Sequence, residues 1–272
     1  MSGPGPIALL GGGEHRHGCE SIDRWLLERT GRADPSVVVL PATSTPAMLP
    51  HASALARTWW SALGARVSVL HPGDLGAPAT SETLARADCI VLPGGVPGRL
   101  VAALGAGPTW DLVLARWRIG AALAGSSAGV MALFTWRLGL TAPRPLRLVP
   151  GLGPLAGHVA VPHFDRLIDR PRLGGWAARV QRRFDGLGVL GIDERTAVIV
   201  DGGAAHVRGR GVGTVVARGC TETARAGELL PIGPCLLPLP ARVSRRRGGS
   251  SPPSPRPSTP ARARSATAAV ST

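Results

Sequence analysis

The sequence predicts an α/β fold of three layers, α/β/α, with a mostly parallel central sheet and a small antiparallel β extension near the C-terminus. Short apolar runs alternate with helix-like segments in the first half of the chain, and this rhythm predicts parallel strands with helices on both faces. One run, SVVVL at 36–40, is continuous and β-branched, which is typical of a strand buried on both faces. After about residue 186, short strands separated by Gly and Asp turns predict antiparallel pairing.

The first half of the chain contains five predicted strands with helices between them. The strands are PIALL (6–10), SVVVL (36–40), ARVSVL (65–70), DCIVL (88–92) and AALA (121–124). The helices are 19–30, 48–64, 81–87 and 110–120. Ser81 is the expected N-cap of the third helix, because a serine hydroxyl can accept a hydrogen bond from the free amides of the first turn.

The second half of the chain begins with a short strand that has His158 and His163 at its two ends, followed by a helix-like segment at 165–184. Four more strands are predicted at 187–193, 196–202, 204–209 and 212–219. Sites in parallel sheets form beyond the carboxyl ends of the strands. Loops rich in Gly, Ser, Thr and Pro follow four strands, and we expect them to converge on one rim. These loops are 11–16, 41–46, 93–98 and 125–129.

Composition predicts one domain and a tail. With 272 residues and 44% hydrophobic content, the chain can form one large core. We predict a domain at 1–240 and a disordered tail at 241–272, which is rich in Arg, Ser, Pro and Ala. The formal net charge is +14. The tail could bind nucleic acid through counterion release, but it has no aromatic residue for base stacking, so nucleic acid is not an expected partner.

Neither a cofactor nor a metal is expected. The segment LLGGGEHRHG lacks the G-x-G-x-x-G register and the K-[ST] pair of nucleotide-binding loops. His15, His17 and Cys19 are metal-ligand residue types, but no fourth ligand is near in sequence, and the four cysteines form no CxxC pair. Reduced thiols, no signal-peptide pattern and no apolar run of roughly 18 residues predict a cytoplasmic protein that does not span a membrane.

The stretch LAGSSAGV at 123–130 places Ser127 between Gly125 and Gly129. This G-x-S-x-G pattern at the end of a strand is typical of a nucleophile elbow, in which the amide of the next residue, Ala128, points at the oxyanion position. A tight packing turn would need the same glycines. The pattern alone therefore leaves both interpretations open.

A serine nucleophile needs a histidine base and an acid that orients the imidazole. His163 lies where a strand should end, and the order Ser127, His163, Glu194 supplies all three groups. The order of α/β-hydrolases, with the acid before the histidine, is open only to His206. Its acid would be one of Asp193, Glu194 and Asp201.

Seven stretches in register resemble the serine peptidases that include cyanophycinase and the aspartyl dipeptidase called peptidase E. They are LLGGGE, VVVLPATS, IVLPGG, GSSAG, PHF, GIDERTAVIV and GVGTVVARG, over roughly residues 6–220. The resemblance implies a flavodoxin-like fold similar to class I glutamine amidotransferases, with Ser in place of Cys at the elbow. It implies Ser127 as nucleophile, His163 as general base and Glu194 as orienting acid. The amides of Gly95 and Ala128 would be the oxyanion donors.

The chain departs from that family beside the substrate. Val96 and Pro97 stand where members usually have an Asp or Asn followed by a Gln or Thr, while Pro162 before the HF pair is as in the dipeptidase branch. Arginine side chains that could bind an acidic substrate follow the histidine, and Arg166 and Arg172 are the predicted substrate-binding residues.

These observations predict a serine hydrolase that cleaves a peptide or isopeptide bond of a small peptide, acidic peptides included, through an acyl-enzyme on Ser127. Two alternatives stay open. One is a catalytically silent binding domain on the same scaffold, and the other is an α/β-hydrolase-type esterase that uses His206. A homodimer is also left open.

Overall fold

The computed structural model describes residues 3–139, 147–168, 176–184, 186–217 and 220–232. The predicted tail at 241–272 and the candidate Arg172 lie outside the described residues.

Thirteen strands are found within these ranges. In chain order they are β1 (Ile7–Leu10), β2 (Ser36–Val39), β3 (Arg66–Val69), β4 (Cys89–Leu92), β5 (Ala122–Ser126), β6 (Trp136–Leu138), β7 (Leu148–Pro150), β8 (His158–Pro162), β9 (Gly188–Ile192), β10 (Thr196–Asp201), β11 (Ala204–Gly209), β12 (Val212–Ala217) and β13 (Cys220–Arg225). The α-helices in the same ranges are α1 (Glu20–Arg29), α2 (Leu49–Ala62), α3 (Pro78–Ala85), α4 (Pro97–Gly105), α5 (Thr109–Arg118), α6 (Ala128–Leu133), α7 (Phe164–Ile168) and α8 (Trp176–Arg183).

The central sheet has seven strands in the order β11-β10-β1-β5-β4-β2-β3. Strands β1 to β5 pair in parallel, while β10 and β11 are antiparallel additions beside β1. A second sheet, β13-β12-β9-β8, is antiparallel except for its β8–β9 pair, and β6 and β7 form a short hairpin-like pair. The predicted fold class is confirmed. The four late strands, however, do not form one extension, because β10 and β11 complete the central sheet.

The core lies on both faces of the central sheet. Alternate residues of each strand point to opposite faces, so Leu9 and Val38 lie in one apolar cluster and Ala8 and Val37 in another. Helices α4 and α5 cover the first face and α1 and α2 the second. Cys89 is a fully buried free thiol of the second cluster, as its apolar run predicts.

The structure differs from the helix predictions in two places. Helix α3 begins at Pro78 with Ala77 as its N-cap, so Ser81 lies inside the helix instead of capping it. Proline at the first helical position is preset for the helix and lacks an amide that would need a partner. Helix α4 was not predicted, and it starts the same way, with Pro97 after the N-cap Val96. None of the described helices has the length and apolar character needed to cross a membrane.

Candidate active site

Ser127 lies at a strained turn between β5 and α6. Its φ and ψ are 48° and −107°, and its amide donates to the Leu10 carbonyl of the neighbouring strand at 3.0 Å. The flanking glycines are required by packing, because a Cβ on Gly129 would overlap the Leu92 carbonyl oxygen and one on Gly125 would lie 2.8 Å from the Gly129 carbonyl carbon. The two interpretations of this stretch are therefore compatible, since the same glycines that permit tight packing hold the hydroxyl in an elbow conformation.

Ser127 hydrogen-bonds to His163, and His163 to Glu194. The distance from Ser127 Oγ to His163 Nε2 is 2.9 Å, and His163 Nδ1 lies 2.7 Å from Glu194 Oε1. A carboxylate only accepts, so Nδ1 carries the proton and the Nε2 lone pair faces the hydroxyl. Both distances fall in the range that proton transfer to a general base requires.

The loops after β1, β8 and β9 position this chain of side chains. The His163 amide donates to the Gly11 carbonyl at 2.9 Å, and the Arg195 amide donates to the Gly12 carbonyl at 2.8 Å. The Glu194 amide donates to Asp165 Oδ1 at 3.1 Å. The loop at 11–13 is thus bonded to both segments that carry the imidazole and the carboxylate.

The groups of the alternative arrangement are not brought together. His206 pairs with Ile199 across β10 and β11. Strand β11 lies three strand spacings from β5, or roughly 14 Å. Asp201 forms an ion pair with Arg29 at 2.7 Å, and Asp193 accepts the Val212 amide at 2.8 Å.

The loop 93–95 lies against the elbow. A Cβ on Gly94 would lie 3.2 Å from the Ser127 Cβ, and the next residue, Gly95, was predicted with Ala128 to supply the oxyanion amides. Among the described groups, neither the Gly95 amide nor the Ala128 amide has an acceptor. Two such donors beside a serine hydroxyl can stabilise a developing oxyanion.

Glu14 connects this loop to the elbow. Its Oε1 accepts the Gly94 amide and its Oε2 accepts the Ser126 hydroxyl, both at 2.6 Å. The available sequence signal was an acidic residue directly after three glycines at a strand end. The carboxylate holds the loop and the residue before Ser127 in fixed relation.

His15, His17 and Cys19 each have other partners. Trp60 Nε1 donates to His15 Nε2 at 3.1 Å, which assigns the neutral tautomer to His15 because an indole only donates. Burial also lowers the pKa of His15, opposed by the charge of Glu14. His17 contacts Glu20, Cys19 Sγ contacts the Gly13 carbonyl, and no metal-type cluster is found among the described residues.

Asp23 is a buried acid beneath the site, 5% exposed. Burial raises the pKa of Asp23 to about 7, against the lowering effect of the 2.7 Å hydrogen bond from Trp59 Nε1. In the unfolded chain an aspartate titrates at ~3.9. Between these values the native state binds more protons than the unfolded state, so the free energy of unfolding falls as the pH rises from about 4 to 7.

We expect Asp23→Asn to raise the melting temperature at pH 8 and to change it little at pH 4.5. The amide oxygen can still accept the Trp59 bond without a buried charge, and the gain at pH 8 should be on the order of a few kcal/mol. Thermal unfolding of both proteins from pH 4.5 to 8 measures it. Asp34→Asn is the matched control, since Asp34 is largely exposed. A uniform effect of Asp23→Asn at all pH values would contradict the expectation.

A cleft of about 420 Å³ lies in front of Ser127. It is lined by three of the four predicted loops and by the start of α2. The non-glycine residues with positive φ in the described chain all line it, namely His15, Ser127, His163 and Arg195. Backbone strain of this kind concentrates at functional sites.

The predicted substrate-binding residue Arg166 reaches the cleft beside Glu194. Its guanidinium donates to Glu194 Oε2 at 2.7 Å, and its side chain is two-thirds exposed. Arg166 thus holds the second carboxylate oxygen of Glu194 while most of its own side chain stays exposed. Arg16 and Arg195 also line this space.

A parallel sheet whose central strand ends in a serine elbow, with a histidine and a carboxylate in hydrogen-bonded sequence, is the arrangement found in serine hydrolases. The family model Peptidase family S51 matches residues 7–208. The chain belongs to this family and is an enzyme, a serine-type peptidase, as the sequence predicted.

Solved structures share the fold. A peptidase from an acI-B1 Actinobacterium has a TM-score of 0.72 at 24% identity, over 84% of this chain and 97% of that chain. A putative peptidase E protein from Listeria monocytogenes EGD-e has a TM-score of 0.56 at 16% identity, over 76% of this chain and all of that chain (100%). A search of curated proteins found no match.

Proposed function

We propose that this serine peptidase cleaves a peptide or isopeptide bond of a small peptide through an acyl-enzyme on Ser127. The observation that carries the proposal is the 2.9 Å contact between Ser127 Oγ and His163 Nε2. A catalytically silent domain would not need this contact. The cleft volume of about 420 Å³ suits a small substrate.

The first half-reaction is acylation. His163 Nε2 accepts the Ser127 hydroxyl proton as Oγ attacks the scissile carbonyl, and Glu194 stabilises the imidazolium through Nδ1. The amides of Gly95 and Ala128 would donate to the oxyanion. His163 then donates the proton to the leaving amine, which departs and leaves an ester on Ser127.

The second half-reaction is hydrolysis of this ester. His163 takes a proton from water as the water oxygen attacks the acyl carbonyl, and returns it to Ser127 Oγ as the ester bond breaks. Arg16, Arg166 and Arg195 line the cleft and could bind a carboxylate of the peptide. We therefore expect an acidic side chain or a free C-terminal carboxylate of the substrate to bind at the part of the cleft that these arginines line.

A fluorophosphonate probe tests the nucleophile. We expect the probe to add covalently to the wild-type protein and not to Ser127→Ala, with the adduct located on Ser127 by tandem mass spectrometry. Ser126→Ala is the matched control, because the neighbouring hydroxyl bonds to Glu14 and not to His163, and this variant should still react. Equal reaction of wild type and Ser127→Ala, or no reaction of the wild type, would reject the proposal.

A further inference from the structure

Large apolar side chains are exposed beside the cleft. In the described part of the chain, five large apolar residues are exposed: Met48, Leu55, Val96, Ile119 and Leu229. Met48 and Leu55 line the cleft, at 53% and 37% exposure, and Val96 directly follows Gly95 of its wall. Exposed apolar surface that collects at a cleft is a sign of a binding site.

These side chains belong to a second face of α2. Met48, His51, Ala52 and Leu55 recur at the spacing of one helical face and all line the cleft, and every one of them except His51 is apolar. The core face of the same helix is already occupied, with Ala56 and Trp60 fully buried. The exposed face is therefore additional to what folding requires, and we name Met48, Ala52 and Leu55 the α2 wall.

The α2 wall lies on the opposite side of Ser127 from the imidazole. Strand β5, which ends at Ser126, has β1 on one side and β4 and then β2 on the other. The loop after β1 bonds to His163 and Arg195, as described above. The loop 93–96 follows β4 and α2 follows β2, and the Val96 amide donates to Thr43 of the β2 loop at 2.9 Å.

This arrangement separates the two halves of a bound peptide. The imidazole must reach the leaving amine to protonate it, so the leaving half lies on the His163 side, where Arg166 and Arg195 line the cleft. The acyl half, whose carbonyl is attacked, then lies on the side of the α2 wall. The exposed Val96 directly follows Gly95 of the cleft wall on this side, at a position where the family that the sequence resembles usually has a polar residue.

We propose that the α2 wall is a specificity subsite for an apolar side chain on the residue whose carbonyl Ser127 attacks. The inference rests on the proposed function and names the substrate class: small peptides with a residue such as leucine or methionine at the acyl position. Leu55 and Met48 are its specificity-determining residues. An acidic group is accepted on the leaving half, at the arginine side of the cleft.

The test compares two probes that differ at the acyl position. Diphenyl phosphonate analogues of leucine and of aspartate, each with a free amine, react irreversibly with an activated serine, and the measured quantity is kinact/KI. We expect the leucine analogue to react about 10- to 100-fold faster, the usual range for apolar pocket discrimination. Leu55→Arg should reduce that ratio at least tenfold, because a cation in the α2 wall disfavours leucine and attracts aspartate.

Ile119→Arg is the matched control, because Ile119 is 62% exposed at the end of α5 and does not line the cleft, so this variant should keep the wild-type ratio. The inference is overturned if the aspartate analogue reacts as fast or faster, if Leu55→Arg leaves the ratio unchanged, or if neither analogue reacts while a fluorophosphonate adds to Ser127. Failure of the fluorophosphonate itself would instead overturn the proposed function, and this inference with it.

Discussion

His163→Ala is expected to slow the reaction of Ser127 with a fluorophosphonate by about 10²- to 10⁴-fold, the contribution typical of a general base. The Nε2 atom lies 2.9 Å from Oγ, and no other histidine of the described chain hydrogen-bonds to this hydroxyl. Without the imidazole, the hydroxyl must lose its proton to water as it attacks. The pseudo-first-order rate of probe addition, followed by intact-protein mass spectrometry, measures the effect.

His206→Ala is the matched control for that variant. His206 lies on β11, three strands from the elbow, so its removal should leave the rate of probe addition within about twofold of wild type. Circular dichroism and thermal unfolding of both variants establish that each is folded. A large loss in His206→Ala with little loss in His163→Ala would contradict the assignment and favour the α/β-hydrolase arrangement.

The parallel half of the fold was predictable because its signal is local. A strand buried on both faces must be apolar throughout, so runs such as SVVVL and DCIVL can be identified as strands without knowing which strands they pair with. Helix α4 was missed because Pro97 and Gly98 are typical of a loop, although Leu100 and Leu104 lie one turn apart and are buried. Proline can end a helix or begin one, and only the packing of the residues that follow it distinguishes these two cases.

The pairing of the later strands was not predictable because it depends on distant partners. Strands β9 and β10 are separated only by residues 193–195, and both are buried. Yet β9 pairs with β8 and β12, while β10 pairs with β1 from the start of the chain. Local alternation predicts that these strands exist, and long-range burial decides which sheet each one joins.

In the candidate site, too, the features with a local signal were predictable and the contacts between distant segments were not. Ser127, His163 and Glu194 could be proposed because each follows a predicted strand, and strand ends meet at one rim of a sheet. The hydrogen bonds of Glu14 to Gly94 and Ser126 could not be predicted, since they join residues that are 80 and 112 positions apart in sequence. The contact between Gly12 and the imidazole of His163 could not be predicted for the same reason.

Gly12→Ala is therefore expected to impair the site without touching any of its reactive atoms. Gly12 has a φ of +135°, and a Cβ at this position would overlap Cε1 of His163 and lie 2.7 Å from its Nδ1. The ring must move away from Ser127, and displacement by about 1 Å can reduce a rate by about 10²-fold. We expect a loss of at least this size in the rate of fluorophosphonate addition, with a fall in stability of about 1–3 kcal/mol from backbone strain.

Gly31→Ala separates the two effects. Gly31 also has a positive φ, +65°, but its Cβ would meet no atom within 4 Å. It should lose stability by about 1 kcal/mol from the left-handed backbone alone and keep its rate of probe addition. If Gly12→Ala is folded and reacts at the rate of Gly31→Ala, the packing of the imidazole against Gly12 has no effect on the reaction. If only Gly12→Ala reacts slowly, the glycine after β1 contributes by leaving room for the ring, because a Cβ at Gly12 would meet the imidazole whereas one at Gly31 would meet no atom.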